Sequence, residues 1–209
     1  MPGTEHFLLT KGAAGAGWRA PWALFWCVFA GSAPSLWGQT PRARPGFFTR
    51  FNYTDGNPGM DFQIVIDSRE KEQYAFSCST VRRKLDAGDY SIAGHELSVA
   101  VERKSLPDFV HTVIHDFQRF AAELDKLKAM DAACVVVEAD LDALLRDQHR
   151  ETLRGVAPTS LLGMSLYISL RWMVPVYWCG SRQAACAFTD AYLRTFVRTQ
   201  AERGGAQHG

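Results

Sequence analysis

From residue 88 to residue 104 the chain alternates between apolar and polar positions in two short runs, which are separated by Gly94. The apolar positions are Tyr90 and Ile92 in the first run and Leu97, Val99 and Val101 in the second. Successive side chains of a β-strand point to opposite faces, so a period of two predicts two strands that are each buried on one face. Glycine is the residue expected where a tight turn joins such strands. The pattern therefore predicts a β-hairpin.

The apolar positions also predict how the two strands pair. A two-residue turn at Gly94-His95 places Ile92 opposite Leu97 and Tyr90 opposite Val99, so that the apolar partners share one face. A turn one residue longer would place apolar side chains opposite polar ones, because a slip of one residue moves every side chain of a strand to the other face. The register with the two-residue turn is therefore the one expected.

In this register the polar face of the hairpin carries Asp89 and Glu102 as diagonal neighbours, with Cβ atoms roughly 7 Å apart. Lys104 lies on the same face, since it is two residues beyond Glu102. Two adjacent carboxylates repel each other, and Mg²⁺ is typically held by one or two carboxylates and several waters. Such an ion polarises a phosphoryl group and acidifies a bound water, and a nearby lysine can orient that water or meet developing charge. The pattern predicts a Mg²⁺ or Mn²⁺ site suited to phosphodiester hydrolysis.

The alternative is a solvated hairpin face on which Glu102, Arg103 and Lys104 form an ordinary surface run of charges. A Glu-x-Lys triplet alone favours this alternative, because such triplets are common. Asp89 stands at the matching place on the partner strand, and this second carboxylate favours the metal site.

The chain beyond residue 60 alternates between strand-like and helix-like segments. Further strands are predicted over 62–66, 133–137 and 174–178, and Pro175 favours a sheet edge or a strand end for the last of them. Helices are predicted after Ser105 with a break near Asp116, over 158–170, and after Gly180-Ser181. The segment 158–170 has no charged residue, which predicts a helix buried on most of its sides. This alternation of strands and helices is typical of an α/β domain.

Three motifs in this order resemble the signature of the XPF-type nuclease domain, a branch of the PD-(D/E)XK nucleases that includes XPF and the archaeal Hef. They are Ile66-Asp67-Ser68-Arg69-Glu70, Gly88-Asp89-Tyr90 and Val101-Glu102-Arg103-Lys104-Ser105-Leu106-Pro107-Asp108. The family carries D-x-R-E at the end of its first strand, then G-D, a spacer and E-R-K-x-x-x-D. The similarity continues through 119–124 and 135–138, and covers about 62 to 198. It implies a restriction-endonuclease-like core, with a central mixed β-sheet flanked by helices.

The resemblance also implies roles for individual residues. Asp89 and Glu102 would bind the metal ion, Lys104 would assist the attacking water, and Asp67 would support the ion through another water. The residues that would complete the site and contact the substrate are Arg69, Glu70, Arg103, Asp108 and Arg119, with Arg69 and Arg103 on backbone phosphate. For Arg119 and Glu123 the residue pattern by itself favours a solvated helix face, and the resemblance implies instead that they border the substrate groove.

Composition narrows this picture only slightly. A chain of 209 residues that is 47% hydrophobic fits one domain plus an extension. The net charge of +1 lacks the basic footprint usual in DNA-binding proteins, so charge neither supports nor excludes a nucleic-acid substrate. The five cysteines form no Cys-x-x-Cys pair, which is typical of free thiols in a reducing compartment.

Residues 1–59 differ from the rest of the chain. The apolar run over 22–30 follows Lys11 and Arg19 and resembles a signal peptide, but it is too short to span a membrane as a helix. We favour the other interpretation, an extension that is disordered or not part of the native protein, because Met60 directly precedes the first strand. The predicted domains are then a nuclease domain over 60–200 and a disordered tail over 201–209. The protein is expected in the cytoplasm, and in a prokaryote it would be associated with the nucleoid. Secretion is expected only if residues 1–59 are a genuine signal. No membrane contact is expected.

A second candidate metal site consists of His111 and His115, which are four residues apart on a predicted helix. The zinc-protease pattern needs glutamate between them, where this chain has Thr112. Helix-surface or groove histidines are therefore favoured over a zinc site.

The predicted function is a Mg²⁺- or Mn²⁺-dependent DNA endonuclease. The resemblance implies branched or flap DNA as substrate, in repair or recombination, and a homodimer or a partner subunit as the assembly. The helix-hairpin-helix module that relatives often carry is not recognisable, so the chain resembles a minimal stand-alone form. The alternative is a non-catalytic DNA-binding module that pairs with an active nuclease subunit. Inactive partners usually lose the metal carboxylates, and their retention here favours the enzyme.

Overall fold

The computed structural model describes residues 62–205, and the predictions for residues 1–59 and 206–209 lie outside the described residues. These residues form a six-stranded sheet with the strand order β2-β1-β3-β4-β5-β6. The strands are β1 (Ile64–Asp67), β2 (Thr80–Arg83), β3 (Tyr90–Ile92), β4 (Val99–Ser105), β5 (Ala132–Glu138) and β6 (Val176–Trp178). The helices are α1 (Leu106–His115), α2 (Phe117–Lys128), α3 (Leu141–Leu145), α4 (Arg150–Leu153), α5 (Pro158–Trp172) and α6 (Arg182–Gly205).

The sheet is mixed. β3 pairs antiparallel with both β1 and β4, whereas β1 with β2, β4 with β5, and β5 with β6 are parallel pairs. The predicted α/β fold with a central mixed sheet flanked by helices is confirmed. So are the break between α1 and α2 at Asp116 and the edge position of the last strand.

Helices cover both faces of the sheet, and the central strand β5 is accordingly apolar along its length. Val135 and Val137 pack into the layer formed by α1, α2 and α5, while Cys134 and Val136 pack into the layer beneath α6. All four side chains are fully buried. A strand buried on both faces needs such a continuous apolar run, which is why its sequence shows no alternation.

The hairpin register differs from the predicted one. Tyr90 pairs with Val101 rather than with Val99, and consecutive turns over residues 93–98 replace the two-residue turn. Leu97, predicted to lie in the strand, is 73% exposed. A shift of two residues keeps every side chain on its original face, so apolar alternation fixes the face of each residue and leaves its partner open.

The environment of α5 also differs from the prediction. Its buried positions form one stripe with helical spacing, at Leu161, Ser165, Ile168 and Trp172. The opposite side exposes Leu166 and Leu170, which are 54% and 73% accessible. The helix is therefore buried on one side only. A lack of charged residues is weak evidence for burial, because apolar side chains also contribute much of a protein's surface.

The C-terminal helix is longer than predicted. α6 continues to Gly205, so residues 201–205, which the sequence analysis placed in a tail, are helical. Ala201, Glu202 and Arg203 are strong helix formers, and extending an existing helix needs no new nucleus. The four cysteines within the described part of the chain are free thiols, as expected: Cys78, Cys134, Cys179 and Cys186. None of the helices between residues 62 and 205 is long and apolar enough to cross a membrane.

Candidate active site

An open pocket of about 570 Å³ lies beside the C-terminal ends of β1 and β4 and the start of α1. The nine residues predicted to form the site all line it: Asp67, Arg69, Glu70, Asp89, Glu102, Arg103, Lys104, Asp108 and Arg119. Further lining residues include Gly88, Thr112, Phe120 and Glu123. The structure thus brings together motifs that lie up to 52 positions apart in the chain. Their individual environments differ, and two of them depart from the expected roles.

Asp89 and Glu102 face this pocket together from neighbouring strands. Tyr90 and Val101 are paired, which puts Asp89, the residue before β3, directly opposite Glu102 of β4 rather than diagonal to it. Glu102 is 7% exposed, and Oδ2 of Asp89 accepts the backbone N–H of Arg103 at 2.8 Å. Burial, followed by the negative charge of Glu102, raises the pKa of Asp89 well above its ordinary value. The pair is therefore electrostatically strained and would be relieved by a cation.

Lys104 lies against this acidic pair. Its Nζ donates to Oε1 of Glu102 at 2.5 Å and lies 5.1 Å from the centre of the Phe120 ring. Burial alone would lower the pKa of Lys104, but the charge and hydrogen bond of Glu102 outweigh it and raise that pKa. The side chain is therefore an ammonium, which donates hydrogen bonds and accepts none.

The loop before Asp89 is held by α2. Gly88 has φ +75°, and a Cβ there would come within 2.9 Å of the Ala100 side chain, so the position requires glycine. Oε1 of Glu123 accepts the Gly88 N–H at 3.1 Å, and Nζ of Lys126 donates to the Asp86 carbonyl at 3.0 Å. Sequence periodicity placed Glu123 on a solvated helix face. The resemblance implies instead that Glu123 borders the substrate groove, and in the structure it lines the pocket.

Asp67 does not have the predicted environment. Its carboxylate is buried and accepts four hydrogen bonds, from the backbone N–H, Nε and Nη2 of Arg69 and from the backbone N–H of Leu85. Burial would raise the pKa of Asp67, but these hydrogen bonds outweigh it and lower that pKa. A carboxylate has about four acceptor sites. The expected support of a metal ion through another water does not fit this geometry.

Arg103 also departs from its prediction. Its guanidinium is 5% exposed and forms ion pairs with Glu72 at 2.7 Å and with Glu138 at 2.9 Å. Arg182 joins the same network through Glu138, and the guanidinium of Arg103 lies 5.9 Å from the centre of the Tyr74 ring. The side chain therefore belongs to the layer under α6, and the predicted contact with phosphate does not fit. Strand alternation accounts for this, because Arg103 lies between Glu102 and Lys104, which share the other face.

The remaining predicted residues form the rim of the pocket. Glu70 accepts the backbone N–H of Glu72 at 2.5 Å. Asp108 donates its backbone N–H to Ser105 Oγ at 3.2 Å, which caps α1. The side chain of Arg119 is 83% exposed and pairs with Asp116 at 3.2 Å. The rim therefore carries negatively and positively charged side chains, and that of Arg119 is accessible to solvent.

The donor set fits a hard divalent ion held largely by water. Within residues 62–205, no group of three or more His, Cys, Asp or Glu side chains is placed to hold a metal. Two carboxylate oxygen donors suffice for Mg²⁺, which keeps several waters and contacts substrate phosphate. His111 and His115 lie side by side, with ring centroids 5.1 Å apart, outside this pocket.

Comparison with known proteins identifies the family. The model of the ERCC4 domain matches residues 66–192. The chain belongs to the ERCC4 domain family. The resemblance to the XPF-type nuclease domain, predicted from the three motifs, is thereby confirmed. The match covers the end of β1, the hairpin, α1, α2 and the N-terminal part of α6, and it contains every residue of the candidate site.

Relatives and solved structures agree with this assignment. A putative ATP-dependent RNA helicase of Methanocaldococcus jannaschii, MJ1505, is 28% identical over 114 residues, which are 53% of this chain and 14% of that protein. XPF from Aeropyrum pernix has a similar structure, with a TM-score of 0.52 and 16% identity over 69% of this chain and 70% of the other. XPF from A. pernix in complex with DNA gives a TM-score of 0.50 and 18% identity, with 66% of each chain covered. The two structural matches confirm the restriction-endonuclease-like fold. The chain spans only about a seventh of the helicase.

Proposed function

We propose that the chain is a Mg²⁺- or Mn²⁺-dependent DNA endonuclease that hydrolyses phosphodiester bonds. The main support is the position of Asp89 and Glu102, which face one pocket with a raised pKa on Asp89. A cation between them removes the repulsion that burial intensifies. Membership of the ERCC4 domain family supports the same chemistry.

In this proposal, Asp89 and Glu102 hold the ion, and the backbone carbonyl of Arg103 is a further candidate ligand. The ion, when bound, polarises the phosphoryl group and acidifies a bound water. Lys104 donates hydrogen bonds from its ammonium, so it orients the attacking water or meets negative charge that develops on the phosphate. Its contact with Glu102 holds it next to the position where that charge forms.

The rim supplies the substrate contacts. Arg69 on one wall and Arg119 on α2 carry positive charge toward the mouth of the pocket, where two successive phosphates of a DNA strand would lie. Glu70 and Asp108 shape the same rim, and Asp108 also fixes the start of α1 behind Lys104.

The substrate and setting are inferred from relatives. The DNA complex of A. pernix XPF supports DNA as the substrate, and the family supports branched or flap DNA in repair or recombination. A homodimer or a partner subunit belongs to the same proposal, and sedimentation velocity of the purified chain measures it. The exposed apolar side of α5, with Leu166, Tyr167 and Leu170, is a surface that such an assembly could bury.

Cleavage assays on metal-site variants test the proposal. The full chain is incubated with duplex, flap, fork and single-stranded DNA, with and without Mg²⁺. We expect metal-dependent cleavage that falls by at least about 100-fold in Asp89→Ala and in Glu102→Ala, since even outer-shell changes at metal sites cost 10–100-fold. Asp142→Ala, which removes an exposed acid on α3, is the control and should cleave normally.

Two results would contradict the proposal. Full activity in both variants, with circular dichroism unchanged, would exclude the acidic pair from catalysis. DNA binding by the wild-type chain without cleavage under any divalent metal would instead favour the alternative, a binding module that serves another nuclease subunit.

A further inference from the structure

Asp67 and Arg69 form a closed set of hydrogen bonds. Oδ1 of Asp67 accepts the backbone N–H and Nε of Arg69 at 2.6 and 2.9 Å, and Oδ2 accepts Nη2 of Arg69 and the backbone N–H of Leu85, each at 2.8 Å. Nη2 of Arg69 also donates to the Leu85 carbonyl at 2.9 Å. Every acceptor site of the carboxylate is occupied by these donors.

The same set leaves one edge of Arg69 available. A guanidinium has five N–H donors, and three of them, on Nε and Nη2, are used by Asp67 and Leu85. The two on Nη1 have no partner among the hydrogen bonds of residues 62–205. The side chain is 61% exposed and lines the pocket that holds Asp89 and Glu102. The structure thus offers a fixed pair of donors beside the acidic pair.

We infer that Asp67 is a positioning residue, which takes no part in metal binding and fixes Arg69 so that its Nη1 edge binds a phosphate oxygen of the DNA. The inference rests on the proposed function and assigns Asp67 a role different from the one expected from sequence. A metal-bound water on Asp67 would have to displace one of four charge-assisted or backbone hydrogen bonds, whereas the free Nη1 edge binds phosphate without breaking any.

Fixing the arginine in advance strengthens phosphate binding. An exposed arginine normally loses rotamer freedom when it binds, and that cost is removed when the side chain is already held. The planar fork also suits phosphate geometry, which a lysine at the same place does not match. Replacing Asp67 should therefore weaken substrate binding, and it should do so only through its effect on Arg69.

The first test measures metal binding. Free Mn²⁺ is followed by electron paramagnetic resonance during titration of the full chain. We expect Asp67→Asn to bind Mn²⁺ within about twofold of wild type, while Glu102→Gln weakens binding at least about tenfold. This measurement needs no DNA and no catalysis. A folded Asp67→Asn chain with Mn²⁺ affinity reduced as far as in Glu102→Gln would overturn the inference and leave the proposed function standing.

The second test separates KM from kcat with a labelled flap DNA. A hydrogen bond to a charged group is typically worth about tenfold or more in affinity. Arg69→Met should therefore raise KM about tenfold with a smaller change in kcat, Asp67→Asn should raise KM comparably, and the double variant should be no worse than Arg69→Met. Additive effects would contradict the inference, because Asp67 would then act independently of Arg69.

Two further variants complete the design. Asp142 and Arg146 form an exposed ion pair at 2.9 Å on α3, and Asp142→Asn with Arg146→Met is the matched control, expected to leave KM and Mn²⁺ affinity unchanged. If Asp67→Asn does not fold, as judged by circular dichroism, the KM of Arg69→Lys tests the inference instead. This variant keeps the charge and Asp67 but loses the fork, so KM should rise as in Arg69→Met, and an unchanged KM would refute the inference. A wild-type chain that binds no Mn²⁺ and cuts no DNA would overturn both proposals.

Discussion

Asp89 is a proposed metal ligand, and its environment also makes its ionised form unfavourable for the stability of the metal-free protein. Its carboxylate is partly buried in the pocket wall and faces the charge of Glu102, and its pKa is raised for these two reasons in that order. In the absence of a cation, ionising this group disfavours the folded state. The site is therefore organised for an ion at the expense of the stability of the folded chain.

The substitution Asp89→Asn should stabilise the metal-free protein. The folded-state pKa is raised, so the wild-type chain has its full stability below the unfolded pKa of about 4 and loses stability as the pH rises through the folded pKa. Asparagine keeps an oxygen for the Arg103 N–H and does not ionise. In EDTA, we expect the Tm of Asp89→Asn to exceed that of wild type by a margin that grows as pH rises from 4 to 8.

Adding Mg²⁺ should reverse this order. Ligand that binds only the folded state stabilises it by about 1.4 kcal/mol for each tenfold excess over Kd, and Asp89→Asn should lack most of that gain. Asp142→Asn is the control and should follow wild type in both buffers. A Tm for Asp89→Asn below that of wild type in EDTA at pH 8 would contradict the assigned environment of Asp89.

Residue roles were predicted from sequence with uneven success, for a physical reason. The nine residues named from the sequence all line one pocket. The sequence did not show which of their side chains are already occupied by other partners. Asp67 is saturated by hydrogen bonds, three of them from Arg69 two positions away, and Arg103 is buried among carboxylates that lie 31 and 35 positions away in the chain. A residue spacing does not show which of these contacts forms. For Arg103 the strand alternation itself already indicated the opposite face.

At the scale of elements, the hairpin and α2 together determine where Asp89 lies. Alternation predicted correctly that Asp89 and Glu102 share a face, but not the register, since a shift of two residues preserves every face. The turn is instead stabilised by its own hydrogen bonds over 92–99. α2 then holds the preceding loop through Glu123 and Lys126.

Removing the contact from α2 should weaken the site. Glu123→Ala leaves the buried Gly88 N–H without its acceptor, which costs about 1–3 kcal/mol of unfolding free energy. We also expect a higher Mg²⁺ concentration for half-maximal cleavage, because the loop that carries Asp89 is less firmly held. Urea unfolding and Mg²⁺ titrations of cleavage measure the two effects.

Two matched variants show whether the hydrogen bond is responsible. Glu123→Gln keeps an acceptor oxygen and should behave nearly as wild type, and Lys128→Ala tests an exposed position at the end of the same helix. If Glu123→Gln were as impaired as Glu123→Ala, the charge of Glu123 rather than its hydrogen bond to Gly88 would be the important property.

At the scale of the whole molecule, residues 62–205 contain a sheet covered on both faces and the complete candidate site. The succession of strand-like and helix-like segments predicted an α/β fold, and the resemblance of the three motifs implied its central mixed sheet. The exposure of one side of α5 was not predictable, because a helix with apolar residues on several faces does not show in its sequence which face is buried.

We predict that a chain lacking residues 1–59 folds and cleaves DNA as the full chain does. The two hydrophobic layers are built from residues within 62–205, so the shortened chain retains the interactions described for the fold. Thermal unfolding and cleavage of the two chains, compared under identical metal and salt conditions, measure this. A loss of cooperative unfolding in the shorter chain would show that residues 1–59 contribute to the domain.

The central claim is that Asp89 and Glu102 together bind the divalent ion. The most direct measurement is anomalous X-ray diffraction from crystals of the protein soaked in Mn²⁺. The account predicts an anomalous peak within coordination distance, about 2.0–2.5 Å, of carboxylate oxygens of both residues. A peak bound elsewhere, or none at Mn²⁺ concentrations that support DNA cleavage, would contradict it.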